Sequence, residues 1–343
     1  MRMRLRDVAE RAGVSVKTVS NVVNGYLHVA PDTRARVQAV IDETGYLPNL
    51  SARSLRSGRS GVIALALPEL DMPYFAELTR SVVEAAQEQG WTVLVDQTDG
   101  LREREVLVAE GIRHNLIDGL IMSPVSLGAG DLAERSGGDL PIVLLGERLD
   151  AQHVDHVAID NIGAARSATQ HLMSLGRTRI AAIGDQPHSA VGSGVAYLRR
   201  RGWAEALTDG GLVADPALVV DVATFRRQEG AAAMRQLLAS GTQPDAVFCF
   251  NDTLALGALR TLAEAGLRVP DDVAVIGIDD VEDGRYSVPT LSTIAPDKAQ
   301  IARTAVQMLA QRLVPRAADA PPREARAGYV LVPRESTLGR AAG

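Results

Sequence analysis

From residue 60 onward, the sequence alternates short aliphatic runs with longer stretches whose apolar residues recur at helical spacing. Such alternation is typical of βαβ units and parallel sheets, because runs of this length match buried strands. It predicts an α/β fold for the body of the chain. The first predicted strands are Val62–Leu67, Thr92–Val95, Gly119–Met122 and Ile142–Leu145, with helices near 75–89 and 102–114.

The same pattern then restarts, which predicts a second, similar lobe. Its predicted strands are Ile180–Ile183, Leu218–Val222, Ala246–Phe250 and Val273–Ile278, with helices near 161–175, 198–209, 229–239 and 253–265. Ligands of open parallel sheets bind beyond the carboxyl ends of the strands. A cleft between the two lobes is therefore the expected binding site.

Length and composition exclude several other classes of protein. A chain of 343 residues is too long for one ordinary core, and 46% hydrophobic residues exclude global disorder. No apolar run approaches the ~20 residues of a membrane-spanning helix. The single cysteine, Cys249, cannot form an internal disulfide and lies in an apolar run that predicts burial. The basic N-terminus lacks an apolar signal core, so a cytoplasmic protein with no membrane partner is expected.

Charge is distributed unevenly along the chain. Residues 1–60 contain ten Arg or Lys and five Asp or Glu, whereas the remainder contains 26 and 37, giving net charges of +5 and −11. A basic head on an acidic body indicates a head that binds a polyanion. A chance cluster of solvated charges is the alternative.

Within this basic head, apolar spacing and turn residues predict three short helices. Leu5 to Ala12 form a helical face that ends at Gly13, a residue that tolerates positive φ. Ser15 is a natural N-cap for a helix over 16–23. Pro31 suits the first turn of a third helix, whose end is marked by Gly45. The order helix, tight turn, helix is typical of a DNA-reading helix-turn-helix.

Residues 48–58 predict a helix of one or two turns, which is too short to be stable alone. Arg53 and Arg56 flank Leu55, and this arrangement fits a minor-groove element that wedges an apolar side chain between base steps. A plain linker fits the same residues equally well.

The segment Arg6 to Asn24, with Gly45-Tyr46-Leu47-Pro48-Asn49 and Ala52-Arg53-Ser54-Leu55, resembles the lactose-repressor (LacI/GalR) family of transcription factors, and the resemblance continues to Leu331 to Ser336. It implies that Val16, Lys17 and Asn21 read bases and that Leu55 is the minor-groove wedge. Lys17 can donate to guanine, Asn21 can bind a base edge or a phosphate, and Val16 can contact a thymine methyl. Further contacts, mainly caps or phosphate contacts, are expected at Ser15, Thr18, Ser20, Arg53 and Arg56.

Two positions depart from the family pattern. Arg4 and Ala30 stand where the family usually has a capping Ser or Thr. Each loss is expected to cost about 1 kcal/mol of helix stability.

The resemblance also implies the arrangement of the whole chain: a helical head, a hinge and a two-lobed, periplasmic-binding-protein-like effector domain. The chain is expected to cross between the lobes more than once, returning to the first lobe after about residue 291, with strand Tyr329–Val332 in the second. The expected domains are 1–47 (helix-turn-helix), 48–59 (hinge) and 60–343 (effector and dimerisation), the latter with lobes at about 60–160 with 291–325 and about 161–290 with 326–340.

Residues that follow predicted strands supply candidate effector contacts at Tyr74, Phe75, Ser123, Arg148, Asn251 and Asp279. The resemblance to the family implies effector contacts at Tyr74, Phe75, Asn251 and Asp279 as well, and adds Arg199 and Phe225. Carboxylate, amide and guanidinium groups with an aromatic ring suit a sugar. Tyr74 and Phe75 could instead belong to the core, and Asp252 and Asp280 are favoured as helix caps. Arg200 and Arg201 are expected to be solvated.

Other chemistry finds little support in the sequence. No phosphate loop or dinucleotide fingerprint is complete, so no cofactor is expected. His153-Val154-Asp155-His156 superficially resembles a metal cluster, but a surface strand fits its spacing better, so no metal is expected. Asp185, His188 and Ser193 lack the elbow motif of a hydrolase.

These observations predict a homodimeric (or tetrameric) repressor that binds a pseudo-palindromic operator and is released by a sugar, with no catalytic residues. Control by a corepressor, either a small molecule or a protein, is the alternative within this class. A solute-binding protein is the rival from another class, and a sugar-processing enzyme is a third.

Overall fold

The computed structural model describes residues 3–23, 26, 28–46, 59–111, 116–133, 140–146, 154–186, 194–314 and 320–339. The chain divides into two compact units, Met1–Gly61 and Val62–Gly343. Within the described residues, no helix combines the length and the apolar character needed to span a membrane.

The first unit contains the three predicted helices, α1 (Leu5–Ala12), α2 (Val16–Val23) and α3 (Pro31–Thr44). Val8, Val19 and Val37 are fully buried where the helices meet. Gly13 and Gly45 end α1 and α3 with φ of 64° and 59°, in the left-handed conformation that the sequence predicts for them.

The predicted loss of two caps is visible in the head. Neither Arg4 nor Ala30 provides a side-chain cap, although Pro31 opens α3 as expected. Asp7 compensates partly at α1, because its carboxylate accepts a hydrogen bond from Arg4 N at 2.8 Å. One of the orphan amides at this helix start is therefore still satisfied.

The second unit contains two six-stranded sheets, as the α/β prediction requires. The first sheet has the order β11-β5-β4-β3-β1-β2 and is parallel throughout. Its strands are β1 (Val62–Leu67), β2 (Thr92–Gln97), β3 (Gly119–Met122), β4 (Ile142–Leu145), β5 (Asp155–Ile159) and β11 (Glu324–Ala327). This sheet and its helices are called the first lobe below.

The second sheet has the order β12-β10-β9-β8-β6-β7, and only the edge strand β12 runs antiparallel to its neighbour. Its strands are β6 (Ile180–Asp185), β7 (Val219–Asp221), β8 (Ala246–Cys249), β9 (Ala274–Ile278), β10 (Ser292–Pro296) and β12 (Tyr329–Val332). This sheet and its helices form the second lobe. Cys249 is fully buried in its core, as predicted.

Helices cover the sheets and connect their strands. They are α4 (Pro73–Glu88), α5 (Arg102–Ala109), α6 (Ala129–Ala133), α7 (Asn161–Ser174), α8 (Val195–Asp209), α9 (Arg227–Ala239), α10 (Asp252–Glu264), α11 (Glu282–Arg285), α12 (Lys298–Arg312) and α13 (Glu335–Leu338). Helices α4 and α12 pack together and contribute to the core of the first lobe.

The chain passes between the lobes three times: after β5, after β10, and between β11 and β12. The return to the first lobe therefore begins at helix α12 and not near residue 291, because Ser292–Pro296 pairs with β9 in the second sheet. The aspartates Asp160 and Asp297 at two of these crossings cap the helices that follow, accepting hydrogen bonds from Gly163 N and Gln300 N.

The expected surface strand around Val154 is instead a buried one. All five residues of β5 are buried, and Asp155 forms ion pairs with Arg312 and Arg323 at 2.7 and 2.6 Å. These pairs keep the pKa of the Asp155 carboxyl low, at about 2, against the opposing effect of burial. Across the described residues, no group of His, Cys, Asp and Glu could hold a metal ion, while His153 lies outside them.

Candidate functional site

One face of helix α2 is exposed to solvent. Val16 is 43% exposed, Lys17 is exposed, and Asn21 lies one turn after Lys17 on the same side of the helix. Val19 and Val22 face the core instead, which fixes the rotation of α2. The three predicted base-reading side chains therefore share a surface on which an apolar contact, a cation and an amide are displayed together.

Ser15 is the N-cap of α2, as predicted. Its Oγ accepts a hydrogen bond from Thr18 N at 3.1 Å, and the two hydroxyl oxygens are 2.8 Å apart. Ser20 differs from the prediction, since it is only 6% exposed and lies on the inner side of α2. It shares that side with Val19, so it is not displayed with the exposed base-reading side chains.

A shallow polar concavity next to α2 brings in residues that the sequence reasoning missed. His28, Thr33 and Arg36 line it together with Thr18 and Asn21. These residues could have been found from their position around the predicted start of α3, because the free backbone amides at a helix N-terminus favour the binding of anions such as phosphate. Leu55, Arg53 and Arg56, predicted for the hinge, lie outside the described residues, as does Arg148.

The second unit contains a cleft of about 430 Å³ between its lobes, a volume within the range of small-molecule sites. Seven of the eight predicted effector residues line it: Tyr74, Phe75, Ser123, Arg199, Phe225, Asn251 and Asp279. Sequence reasoning missed other polar residues of the lining, among them Glu69, Asp99, Asn161, Gln186 and Thr224. The lining is mainly apolar with a few convergent polar groups, as is usual for a ligand pocket.

Aromatic rings stand on both sides of the cleft. Tyr74 and Phe75, at the start of α4, pack edge to face with centroids 5.3 Å apart, and both also contact the core of the first lobe. Both rings therefore line the cleft and also belong to the core of the first lobe. Phe225 of the second lobe is partly buried on the other side.

Arg199 is buried and already bonded to the protein. Its Nε donates to Asn161 Oδ1 at 2.7 Å, and its Nη1 donates to the carbonyl oxygen of Phe250. It thereby joins the start of α7 to the end of β8. The two exposed neighbours form ion pairs, Arg200 with Asp185 and Arg201 with Glu205.

The cap of α10 is Asn251, so the prediction that Asp252 caps this helix is wrong. Asn251 Oδ1 accepts from Leu254 N at 2.8 Å, and its Nδ2 donates to Phe225 O at 3.2 Å, which positions the aromatic residue. Asp252 instead points inward and accepts from Val281 N and Thr293 Oγ1. Asp280 is not a cap either, because it pairs with Arg285 and Arg334.

Asp279 places a carboxylate in the wall of the cleft. It is 6% exposed and has a φ of 123°, a conformation that non-glycine residues rarely adopt. Burial raises the pKa of its carboxyl to about 6, against the opposing charges of Arg199 and Lys298. Within the parts of the chain that the structure describes, no hydrogen bond reaches this carboxylate, so a ligand or water donor fits there.

The buried acid Asp252 predicts how stability changes with pH. Burial, with a smaller contribution from Asp279, raises the pKa of the Asp252 carboxyl from 3.8 to about 8. The folded state then binds more protons than the unfolded state between these values, so this group's contribution to stability falls as pH rises from 3.8 through about 8. Asp252→Asn removes the ionisation, and its Tm relative to wild type is expected to be higher at pH 8.5 than at pH 5 by roughly 2–4 °C.

Thermal unfolding at the two pH values, followed by circular dichroism, measures this difference. Asp271→Asn, at a largely exposed aspartate, is the control and is expected to show the same Tm difference from wild type at both pH values. An Asp252→Asn effect that does not depend on pH would contradict the assignment.

A helical head that displays a cation and an amide from one helix, followed by a two-lobed domain with an inter-lobe cleft, defines a ligand-responsive DNA-binding protein. Comparison with known proteins agrees. Residues 4–49 match the family "Bacterial regulatory proteins, lacI family", and residues 169–337 match the "Periplasmic binding protein-like domain".

Among curated relatives, the HTH-type transcriptional repressor PurR of Haemophilus influenzae (strain PittEE) is 33% identical over 313 residues, covering 90% of each chain. The HTH-type transcriptional regulator DegA of Bacillus subtilis (strain 168) is also 33% identical, over 302 residues that cover 86% of this chain and 87% of DegA. The chain therefore belongs to the LacI family and is a DNA-binding transcriptional repressor, not an enzyme.

Solved structures give the same assignment. A LacI-family regulator from Sanguibacter keddieii DSM 10542 is 48% identical with a TM-score of 0.76, covering 82% of this chain and all of its own. The lac repressor dimer bound to operator and the anti-inducer ONPF is 29% identical with a TM-score of 0.84, and the CelR–cellobiose complex is 32% identical with a TM-score of 0.70. Each covers 98% of this chain and 100% of its own. The predicted family and fold class are confirmed.

Proposed function

We propose that this repressor binds a pseudo-palindromic operator as a homodimer and is released from it by a small sugar that occupies the inter-lobe cleft. The observation that carries the sugar assignment is the Asp279 carboxylate, a buried acceptor in the cleft wall beside aromatic rings. Sugar hydroxyls can donate to such an acceptor while an aromatic ring covers the apolar face of the sugar. CelR, with cellobiose bound, supports the same ligand class for this chain.

On DNA, we assign base reading to Val16, Lys17 and Asn21 and phosphate contacts to Ser15 and Thr18, with α2 in the major groove. Residues 48–59 are assigned as the hinge, with Leu55 as the minor-groove wedge. A symmetric operator requires two heads, and the lac repressor dimer on its operator supports this arrangement. In the second lobe, Tyr286 and Val288 are 79% and 76% exposed, and such apolar side chains suit an interface with a second copy.

Release follows if the sugar favours a lobe arrangement that does not support DNA binding. A ligand shifts such an equilibrium only through its different affinities for the two states. In the alternative, a corepressor occupies the same cleft and strengthens DNA binding. Adding the ligand to the protein–operator complex shows whether it weakens or strengthens operator binding.

The experiment that tests the proposed function has two stages. Selection from random duplexes by the full-length protein is expected to enrich a pseudo-palindrome. Thermal melting against mono-, di- and phosphorylated sugars, with nucleobases as controls, is expected to show a selective shift with a sugar. Ligand at 100 times its Kd contributes about 2.7 kcal/mol of stability.

The two stages fail independently. Weak, salt-sensitive DNA retention without an enriched sequence contradicts the operator. A shift given only by a nucleobase, or by no compound of the panel, contradicts the sugar and leaves DNA binding in place.

A further inference from the structure

An ion triad crosses from one lobe to the other at the cleft. Arg226, which directly precedes α9 in the second lobe, donates hydrogen bonds to the Asp71 carboxylate of the first lobe from Nη1 and Nη2, at 2.8 and 3.2 Å. Its Nη2 also lies 3.0 Å from Glu69 Oε2. Bidentate pairing with one carboxylate and contact with a second fix the direction as well as the length of this bridge.

Both ends of the bridge continue directly into the lining of the cleft. In the first lobe, Glu69 and Met72 line the cleft, and Tyr74 and Phe75 follow in the chain. In the second lobe, Phe225 lines the cleft immediately before Arg226. The triad therefore joins the two segments that place aromatic rings on opposite sides of the ligand space.

The charges of the triad stabilise one another, but water reaches all three side chains. The carboxylates raise the pKa of the Arg226 guanidinium, and Arg226 lowers the pKa of Asp71. The side chains of Arg226, Glu69 and Asp71 are 42%, 29% and 66% exposed. Solvent screening keeps such exposed pairs weak, so the triad shifts a population of lobe arrangements and does not lock one.

A second connection between the lobes involves Glu77 on α4. Its Oε1 accepts from Glu282 N of the second lobe at 2.9 Å, and its Oε2 lies 2.8 Å from Lys298 Nζ. Lys298 in turn donates to the carbonyl oxygen of Asp279. These contacts do not involve Arg226, so we expect a partly closed arrangement to remain when Arg226 is changed.

We propose that Arg226 is a positioning residue for the effector cleft, and that by binding Glu69 and Asp71 across the lobes it sets the gap between Phe225 and the Tyr74–Phe75 wall. This deepens the proposed function, because it takes the cleft as the effector site. The repressor then has a closure equilibrium that depends on its own charges, and the effector acts on an equilibrium already set by the triad. Because the pairs are exposed, ionic strength changes this equilibrium.

The test measures the distance between the lobes in the full-length protein without ligand or DNA. Spin labels are attached at Glu103→Cys on α5 and Arg235→Cys on α9, both exposed positions, while the native Cys249 is buried and inaccessible to the reagent. Pulsed electron paramagnetic resonance then gives the distance distribution. Arg226→Gln is expected to change the ratio of the distance populations roughly three- to tenfold toward separated lobes. Sodium chloride at about 1 M is expected to shift the wild type the same way and the variant much less.

The neighbouring residue provides a matched control. Arg227 pairs with Asp283 at 2.9 Å, with both side chains 51% exposed and both in the second lobe. Arg227→Gln is expected to leave the distribution unchanged. The charge swap Arg226→Asp with Asp71→Arg, combined with Glu69→Gln so that two carboxylates do not face each other, is expected to move the ratio back toward that of the wild type, which a general loss of packing would not do.

Three results would overturn the proposal: identical distributions for wild type and Arg226→Gln, an equal change in Arg227→Gln, or no restoration in the charge swap. The salt titration of the wild type decides the matter independently if a variant fails to fold. None of these readouts uses a sugar or an operator, so their failure is distinguishable from a failure of the proposed function.

Discussion

Lys17→Ala is expected to weaken binding to the selected operator by roughly 30-fold or more. Lys17 lies on the exposed face of α2 next to Val16, where it can donate to a guanine edge in the major groove. A specific contact of this kind contributes about 1–3 kcal/mol, and the proposed homodimer would lose it twice. Fluorescence anisotropy with labelled duplexes measures the loss.

Base reading and phosphate binding by Lys17 predict different results. If Lys17 reads a base, Lys17→Ala also relaxes the preference at one symmetric pair of positions, and Lys17→Arg retains most of the affinity, since Arg also binds guanine. Arg235→Ala removes one exposed positive charge from the body and is expected to leave operator binding within about twofold. An equal loss on every sequence, with a shallower salt dependence, would make Lys17 a phosphate contact.

Asp279→Asn is expected to raise the effector concentration needed to change operator binding by roughly 10- to 150-fold, with operator affinity in the absence of effector within about threefold of wild type. The substitution keeps the shape of the side chain and tolerates the positive φ, since Asn is among the residues that adopt it. The backbone carbonyl that accepts from Lys298 is unaffected. The substitution removes the negative charge and replaces one acceptor oxygen by an amide donor, and hydrogen bonds to a charged group contribute about 1.5–3 kcal/mol.

Cellobiose is the first probe for this prediction, followed by any sugar that shifts Tm in the panel. Titration calorimetry gives its affinity for the variant, and anisotropy gives the effect on the operator complex. Asp283→Asn, at an exposed aspartate of the same lobe, is the control and is expected to respond as wild type does. A normal response of Asp279→Asn would remove Asp279 from the effector site.

The three helices of the head were predictable from the sequence almost to the residue, because their signals are local. The apolar spacing of each helix, the caps and the two helix-ending glycines all lie within a few residues of the elements they define. Ser20 shows the limit of carrying positions over from a family. Its burial depends on how α2 rotates against the other helices, and that is a tertiary property.

In the body, strands with continuous aliphatic runs were predicted well, whereas less hydrophobic strands were missed. The edge strand β11 reads Glu-Ala-Arg-Ala, and β10 contains Ser, Thr and Pro, so neither has the pattern of a buried strand. Both are defined by pairing with distant partners, β5 and β9. Long-range pairing of this kind leaves no signal in a short window of sequence.

Five of the cleft residues, Tyr74, Phe75, Ser123, Asn251 and Asp279, were predictable because the carboxyl ends of parallel strands converge, whereas Arg199 and Phe225 came from the resemblance to the family. The hydrogen-bond and ion-pair partners of the cleft residues could not be predicted. Asn251 and Asp252 are both good N-cap residues in adjacent positions, and only the fold decides that the first caps while the second is buried. Arg226 has no periodic signal, and its partners in the first lobe are more than 150 residues away in sequence.

Because the chain passes between the lobes three times, the head and the lobes differ in how easily gene recombination can exchange them. The head occupies one uninterrupted stretch, Met1–Gly61, so a single crossover in the gene can attach it to a different sensor. Each lobe is assembled from separate stretches, because β11 and β12 return to sheets begun more than 140 residues earlier. Exchange of one lobe would need several simultaneous junctions. In this fold, exchange of the whole head and point substitution within the cleft are therefore the changes that require the fewest junctions.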